Sequence, residues 1–218
     1  MREVFQQELR EVQERLVEIS RLVVIAITNA TTAFNESNVS LAEQVIADDP
    51  KIDALASDLD ELAISIMALQ QPVARDLRIV VSALRMSASL ERMGDIAQHI
   101  AQLARYRYPE KVAKESLLGT FNEMGRLDVL VAQKLSLLIE TEDLDLADEI
   151  RDVDDRIDEL HLSVFEAVLS ESWGGTSVNT VDVTLASRYH ERFADHAVSI
   201  AKKVKYLATG EWTGSGSR

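Results

Sequence analysis

The sequence predicts an all-α fold of two tandem antiparallel three-helix bundles, six long helices in all, related by internal duplication. Glycine (8 residues) and proline (3 residues) are scarce in a chain of 218, which favours helix over strand. Apolar residues recur at alternating spacings of three and four, a pattern typical of helices that pack side by side. In addition, Leu90-Glu-Arg-Met-Gly-Asp95 returns as His190-Glu-Arg-Phe-Ala-Asp195, 100 positions later (190 minus 90).

A second repeated segment indicates the same duplication. Asp49-Pro-Lys-Ile-Asp53 corresponds to Asp154-Asp-Arg-Ile-Asp158 at an offset of 105 (154 minus 49), so the connecting loops differ by five residues. We therefore expect one repeat over residues 1–109 and a second over residues 110–209. The joining loop lacks the composition of a flexible linker, so the two bundles are expected to pack against each other. Residues 210–218 are interpreted as a disordered tail or a cloning scar.

The first three helices are expected at about residues 2–36, 38–70 and 73–107. Ser37 or Asn38 is placed to cap the second helix, which should end before Pro72 because the residue that precedes a proline disfavours the α conformation. Pro50 lies inside the second helix and predicts a kink or a break there. The apolar seams of these helices are Leu9, Val12, Leu16, Ile19, Val23, Ala26, Ala30 and Ala33; Leu41, Val45, Ile52, Leu55, Leu59, Leu62, Ile66 and Leu69, interrupted at Asp48; and Ile79, Ala83, Met86, Leu90, Met93, Ala97, Ile100 and Ala104.

The last three helices are expected at about residues 112–140, 143–172 and 180–209, with a strong loop signal at Trp173-Gly-Gly-Thr-Ser177. Asp128 falls where the seam of the fourth helix requires an apolar residue. The seams are Leu117, Phe121, Met124, Val131, Leu135 and Leu138; Leu146, Ile150, Val153, Ile157, Leu160 and Val164; and Val183, Ala186, Phe193, Ala197, Ile200, Val204 and Leu207.

Charge and composition exclude several classes of function. A formal net charge of −14 argues against nucleic acid and against anionic lipid as partners. The chain has no cysteine, which rules out disulfides and thiolate chemistry. The polar start does not resemble a signal peptide, and no apolar run approaches the roughly 18 residues of a membrane span. We therefore expect a cytoplasmic protein that does not insert into a membrane.

Each repeat carries two acidic pairs at i,i+4 spacing, which places both carboxylates of a pair on one helix face. If the second and third helices of each repeat are antiparallel neighbours, the pairs can face each other and bring four carboxylates together. Oxygen-rich clusters suit Mg, Mn or Fe, with Zn or Ca also compatible, and bridging carboxylates would make the site multinuclear. The other interpretation is a solvated helix face, because such pairs are common in an acidic helical protein. The candidate metal ligands are Asp49, Asp53, Glu91, Asp95, Asp154, Asp158, Glu191 and Asp195.

Basic residues near these motifs are candidates for partner binding. Arg92 and Arg192 follow the acids in both repeats and either bridge to a neighbouring helix or make a functional contact. Arg75 and Arg78 form a small basic spot at the start of the third helix, where Asp76 complements the helix dipole. That segment is either capping chemistry alone or a docking contact.

Enzyme motifs are absent from the sequence. There is no nucleotide-binding loop, no GxSxG and no HExxH. Di-iron carboxylate bundles require Glu-x-x-His on two helices, and only Asp158-x-x-His161 approximates that pattern. We therefore expect a protein that is not an enzyme.

These motifs together resemble the PhoU family of phosphate-transport regulators. The resemblance covers Met1 to about Leu207 and rests on Gln71-Pro-Val-Ala-Arg-Asp-Leu-Arg78, the Leu90–Asp95 motif, the two Asp-x-x-Ile-Asp segments and the duplicated layout. It implies a cytoplasmic six-helix protein, often a homodimer, that represses the phosphate-starvation response. It also implies multinuclear divalent or trivalent metal (Fe, Zn, Mn or Mg) on the eight acids. The second repeat departs from the pattern, since Trp173-Gly-Gly replaces the Gln-Pro-Val-Ala turn and His190 replaces Leu90.

The resemblance favours a non-enzymatic adaptor between the ATP-binding subunit of the high-affinity phosphate ABC transporter and a sensor histidine kinase. As such an adaptor it would act in phosphate homeostasis and transcription regulation. One alternative is a metal-handling or oxidative enzyme built on a carboxylate bundle, and another is a chaperone-like helical scaffold.

Overall fold

A computed structural model of the protein describes residues 2–210, and all of its regular structure is helical within that range. Six long helices are present in the predicted order. They are α1 (Arg2–Glu36), α2 (Val39–Gln70), α3 (Ala74–Arg107), α4 (Glu115–Thr141), α5 (Asp145–Leu169) and α6 (Ser177–Thr209).

The helices form two three-helix bundles that share one core. Helices α1, α2 and α3 pack against one another, as do α4, α5 and α6, and the bundles are joined by contacts of α1 with α4 and of α3 with α6. The helices α1, α3, α4 and α6 therefore form a central four-helix unit in which each helix contacts two of the others, with α2 and α5 on its two outer sides. The predicted seams line this core; Leu16, Ile19 and Phe121 are at most 1% exposed. Truncation of such a side chain to alanine typically costs about 2–5 kcal/mol.

The internal duplication is visible in the contacts between α1 and α4. The hydroxyls of Ser20 and Ser136 lie 2.9 Å apart across this antiparallel pair. The offset of 105 converts Ser20 into Gly125 and Ser136 into Thr31, and these two residues also touch. A Cβ at Gly125 would lie 3.0 Å from the Thr31 Cβ. The repeats are thus related by a pseudo-twofold axis that passes between α1 and α4, and glycine allows the close approach at its second contact.

A bidentate ion pair joins the bundles on the opposite side, between α3 and α6. The Arg107 guanidinium donates to both carboxylate oxygens of Asp182 at 2.5 and 2.9 Å. The Asp182 side chain is only 5% exposed, so the pair is shielded from solvent on one side. This contact helps to fix the bundles relative to each other.

A buried Asp–His pair replaces two apolar residues in the second bundle. Asp128 and His190 are 0% and 1% exposed, and the imidazole Nδ1 lies 2.6 Å from a carboxylate oxygen. Their counterparts in the first bundle are Val23 and Leu90, both buried. Burial raises the pKa of Asp128, and His190 opposes that effect. The second Asp128 oxygen and His190 Nε2 have no hydrogen-bond partner among the described residues.

Local chemistry explains where several helices begin and end. The Asn38 side chain accepts a hydrogen bond from the Leu41 amide, which confirms Asn38 as the cap of α2. Of the predicted kink or break at Pro50, the break does not occur, because α2 runs through this residue without interruption. A proline removes only one intrahelical hydrogen bond, and Ile52 and Ala56 beyond it anchor the helix in the core. The prediction that Leu69 lies in the seam is also wrong, since it is 74% exposed close to the end of α2.

Helix α6 begins three residues earlier than predicted because of a capping box. The Thr176 hydroxyl accepts from the Asn179 amide, while the Asn179 side chain accepts from the Thr176 amide. Replacing Thr176 with alanine is therefore expected to lower the free energy of unfolding by about 1 kcal/mol. Urea denaturation measures the change, with Thr141→Ala near the end of α4 as the control. Equal stability of Thr176→Ala and the wild type would contradict this assignment.

Helix α1 is the one described helix that is long and apolar enough to cross a membrane by length and composition. This helix has no unbroken apolar run of roughly 18 residues, as predicted, because Ser20, Arg21 and Thr28 interrupt it, and it meets the criterion on average composition. The reason is positional: α1 contacts α2, α3 and α4, so it needs apolar residues on more than one face.

Candidate metal centres

The first acidic cluster comprises Asp49 and Asp53 on α2 with Glu91 and Asp95 on α3. One carboxylate oxygen from each of Asp49, Asp53 and Asp95 lies within 4.8 Å of the others. The Glu91 carboxyl experiences the charges of Asp95 and Asp53. The two acidic pairs thus face each other across the antiparallel helices, as the spacing predicted.

Close packing of α2 on α3 positions this cluster. A Cβ at Gly94 would lie 3.0 Å from the Ile52 side chain and 3.4 Å from a carboxylate oxygen of Asp49, so glycine lets the helices approach here. Asp49 is 7% exposed and takes the inward position that the sequence assigned to Asp48. Gln98 Nε2 donates to the other Asp49 oxygen at 2.6 Å. Asp48 instead pairs with Lys51 at the surface.

Burial and crowding raise the pKa values of Asp49 and Glu91 in the first cluster. The pKa of Asp49 is raised to about 6, mainly by burial and then by Asp53, Asp95 and Glu91, while the Gln98 hydrogen bond opposes the shift. The pKa of Glu91 is also raised, chiefly by burial. Its neighbours include Asp60, whose own pKa is raised by burial and which the sequence analysis did not identify. Asp60 lies seven residues beyond Asp53 on α2, a spacing that could have revealed it.

The second acidic cluster comprises Asp154 and Asp158 on α5 with Glu191 and Asp195 on α6. The pKa of Asp154 is raised to about 7 by burial, followed by Asp158, Asp195, Asp155 and Glu191. One oxygen of Asp154 and one of Glu191 are buried without a hydrogen-bond partner in the described part of the chain. Such atoms carry a desolvation penalty that a bound cation would offset. The second cluster thus offers the oxygen ligands that a metal requires, but among residues 2–210 only Asp49, Asp53 and Asp95 of the first cluster bring three such oxygens within 4.8 Å of one another.

The two clusters differ in their basic neighbours. His161 and Arg188 border the second cluster, where the repeat offsets place Ala56 and Ala88 in the first. The imidazole Nδ1 of His161 lies 3.0 Å from the Ser187 hydroxyl, and burial lowers the pKa of this histidine. Arg188 forms an ion pair with Glu191 that the sequence analysis did not identify. Each cluster thus has one ion pair with an arginine of its own helix, Arg92 with Asp95 in the first and Arg188 with Glu191 in the second, and His161 borders the second cluster alone.

The predicted partner-binding residues lie at the surface in two places. Arg75 and Arg78 are exposed in the first turns of α3, and Asp76 beside them is half-buried. Arg92 pairs with Asp95 of its own helix at 2.7 Å rather than with a neighbouring helix. Arg192 is exposed and has no ion pair among residues 2–210. A role for these residues in docking stays a prediction.

The fold and the two clusters define a class of duplicated helical proteins with paired carboxylate sites. The sequence profile of the PhoU domain matches residues 16–104 and again residues 121–204. The chain therefore belongs to the PhoU family, and the match to both halves agrees with the internal duplication.

Individual relatives extend the likeness over almost the whole chain. The sequence is 42% identical over 210 residues to the phosphate-specific transport system accessory protein PhoU homolog 2 of Mycobacterium bovis, covering 96% of this chain and 99% of that protein. The crystal structure of PhoU from Pseudomonas aeruginosa superposes with a TM-score of 0.87 at 26% identity, covering 95% of this chain and all of the other. The phosphate transport system regulatory protein PhoU from Streptococcus pneumoniae gives a TM-score of 0.84 at 26% identity, over 96% and 99% of the two chains.

Proposed function

We propose that this protein is a non-enzymatic, cytoplasmic accessory protein of a phosphate transport system that represses phosphate-responsive genes when phosphate is plentiful. The observation that carries the proposal is the 42% identity to an accessory protein of phosphate-specific transport over 96% of the chain. The duplicated helical fold supports the proposal, because its long helices present exposed faces to partners. The two acidic clusters lie on these helices. In this role the protein acts as a homodimer and as an adaptor between the transporter's ATP-binding subunit and a sensor histidine kinase.

In this proposal the metals have a structural or regulatory role. Each cluster joins an outer helix to the central four-helix unit. The first cluster joins α2 to α3, and the second joins α5 to α6. A divalent or trivalent ion (Fe, Zn, Mn or Mg) held by the carboxylates would neutralise their repulsion and tie the outer helix down. The outer helices would then present fixed surfaces to the partners.

The connection between α2 and α3 is the favoured docking site. Leu69 and Val73 are each 74% exposed there, and Leu77 is 40% exposed. Arg75 and Arg78 lie among these apolar side chains. Exposed apolar residues mixed with arginine are typical of protein–protein interfaces. This combination supports a contact with the transporter or the kinase.

A gene-deletion experiment tests the proposal. Loss of the protein is expected to leave phosphate-responsive genes expressed in high phosphate, and the wild-type gene should restore repression. Arg75→Glu with Arg78→Glu should fail to restore it, because the charge reversal alters the docking surface. The control is Arg156→Glu, which changes an exposed arginine of α5 that pairs with Glu159.

Two further readouts separate the parts of the proposal. Capture of the transporter subunit and the kinase from cells, by the wild type but not by the double variant, would support the adaptor role. Normal repression in the deletion strain would refute the regulatory role altogether.

A further inference from the structure

A strip of basic side chains runs along the outer side of the contact between α3 and α6, on a protein whose net charge is −14. We define this basic strip by Arg85, Arg92 and His99 on α3 with Arg192, His196 and Lys203 on α6. Four of these residues are exposed, whereas His196 and Lys203 are half-buried.

Two contacts fix the alignment of the strip. The rings of His99 and Tyr189 stack with centroids 5.2 Å apart, and Arg107 pairs with Asp182 eight residues further along α3. The residue numbers in these contacts sum to 288 and 289, as expected for antiparallel helices in a constant register. By the same register Arg85 lies opposite Lys203, and Arg92 lies opposite His196. From residue 85 to residue 99 the strip is about 21 Å long at 1.5 Å per residue.

The cations of the strip are close enough to affect one another. The pKa of Lys203 is lowered by burial and by Arg85 and Lys202.

Little negative charge within the strip compensates these cations. The Lys203 ammonium donates to the Ser199 hydroxyl at 2.7 Å and to the Ser199 carbonyl at 3.1 Å, neither of which carries a charge. Arg92 pairs with Asp95, which belongs to the first acidic cluster. Arg85, Arg192 and Lys203 have no ion pair among residues 2–210, and an anion would relieve the repulsion among these positive charges.

The surroundings restrict the shape of that anion. The first acidic cluster lies on one side of the strip and the second lies on the other, because each joins α3 or α6 to an outer helix. A broad acidic surface or a nucleic acid duplex would approach these carboxylates and be repelled. A small anion or a single narrow chain would not. Guanidinium groups are well matched to phosphoryl oxygens, to which they donate in a planar fork.

We propose that the basic strip binds phosphoryl oxyanions, either free phosphate or a linear chain of phosphates, at a site distinct from the two acidic clusters. Arg192 and Lys203, about 16 Å apart along α6, supply hydrogen-bond donors at two points of the strip, so a free phosphate would contact one of them and a chain of phosphates could approach both. With the proposed function, this site would give an accessory protein of phosphate transport its own contact with the transported anion.

Isothermal titration of metal-free protein, prepared with a chelator, tests the proposal without interference from ions in the acidic clusters. The probes are orthophosphate and tripolyphosphate at low ionic strength. The wild type is expected to bind at least one of them, and binding of orthophosphate identifies the free anion as sufficient. Binding of tripolyphosphate alone identifies a phosphate chain. The double variant Arg192→Gln/Lys203→Met should bind at least about tenfold more weakly, because it loses two charge-assisted hydrogen-bond donors.

The matched control is Arg151→Gln, which removes an exposed cation of α5 outside the strip and should bind like the wild type. Circular dichroism checks folding; if Lys203→Met fails to fold, Arg192→Gln alone serves as the variant. The proposal is overturned if neither phosphate probe binds, or if the folded variant binds as tightly as the wild type. Tighter binding of a polyglutamate peptide than of tripolyphosphate would also overturn it, because that result assigns the strip to an acidic protein segment.

Discussion

Replacing His190 by leucine alone is expected to lower the free energy of unfolding by about 3–5 kcal/mol, because Asp128 would remain in the core without its partner. The carboxylate is fully buried, and its only hydrogen bond among the described residues is to His190. Replacing Asp128 by valine alone should cost less, about 1–3 kcal/mol, since it leaves a buried imidazole unpaired. Urea denaturation measures both changes.

The double variant Asp128→Val/His190→Leu provides the control. It recreates the combination that the first repeat already carries at the equivalent positions, Val23 and Leu90. Replacing a buried ion pair with apolar residues of suitable size is often neutral or stabilising by about 1–4 kcal/mol. The double variant should therefore be at least as stable as the wild type. If the double variant is less stable than either single variant, the Asp128–His190 pair is not replaceable by the apolar pair of the first repeat.

The second large effect concerns the pH dependence of stability in metal-free protein. The pKa values of Asp49 and Asp154 are raised from 3.8 to about 6 and about 7. Between about pH 4 and pH 7 the folded protein therefore holds protons that the unfolded chain has released. The contribution of these groups is present at low pH and is lost as the pH rises through the folded values. The loss should be on the order of a few kcal/mol in total.

The double variant Asp49→Asn/Asp154→Asn isolates this contribution. Two histidines with lowered pKa values, His161 and His196, act in the opposite direction, so the wild-type curve alone is ambiguous. Unfolding free energies should be compared at pH 5 and pH 8 in a chelator. The variant should gain stability relative to the wild type as the pH rises, and Mg²⁺ should stabilise only the wild type at pH 8.

The control for this experiment is Asp58→Asn/Asp152→Asn, which changes exposed carboxyls on the same two helices, α2 and α5. It should follow the wild-type curve. If the unfolding free energies of the cluster variant and the wild type differ by the same amount at pH 5 and pH 8, the pKa values of Asp49 and Asp154 are not raised as described.

Much of the fold could be predicted because a regular period encodes it. The spacing of Leu16, Ile19 and Val23 sets the face of α1, and the repeated motifs reveal the duplication without structural information. The acidic clusters were predictable for the same reason, since i,i+4 spacing fixes which carboxylates share a helix face. Because α2 and α3 were expected to be antiparallel neighbours, the acidic pair on α2 could be predicted to face the acidic pair on α3.

The features that escaped prediction depend on contacts between distant segments. The sequence marks Asp128 and His190 as exceptions in their seams, but only the packing of α4 on α6 brings them together. Asp49, rather than Asp48, points inward because of the rotation of α2 about its own axis. The apolar residues of α2 predict that rotation only to within one residue position. The basic strip could not be predicted because it requires the register between helices of different bundles.

We propose that both acidic clusters hold metal ions, and the metal content of the purified protein tests this proposal most directly. The protein should be prepared without a metal-affinity step, and its bound metal should be measured by elemental analysis. We expect bound metal in the wild type, much less in Asp95→Asn/Asp195→Asn, and no loss in Glu14→Gln/Glu18→Gln, a control pair of exposed acids at the same spacing on α1. Metal-free wild-type protein, or equal metal in the cluster variant and the wild type, would contradict the account.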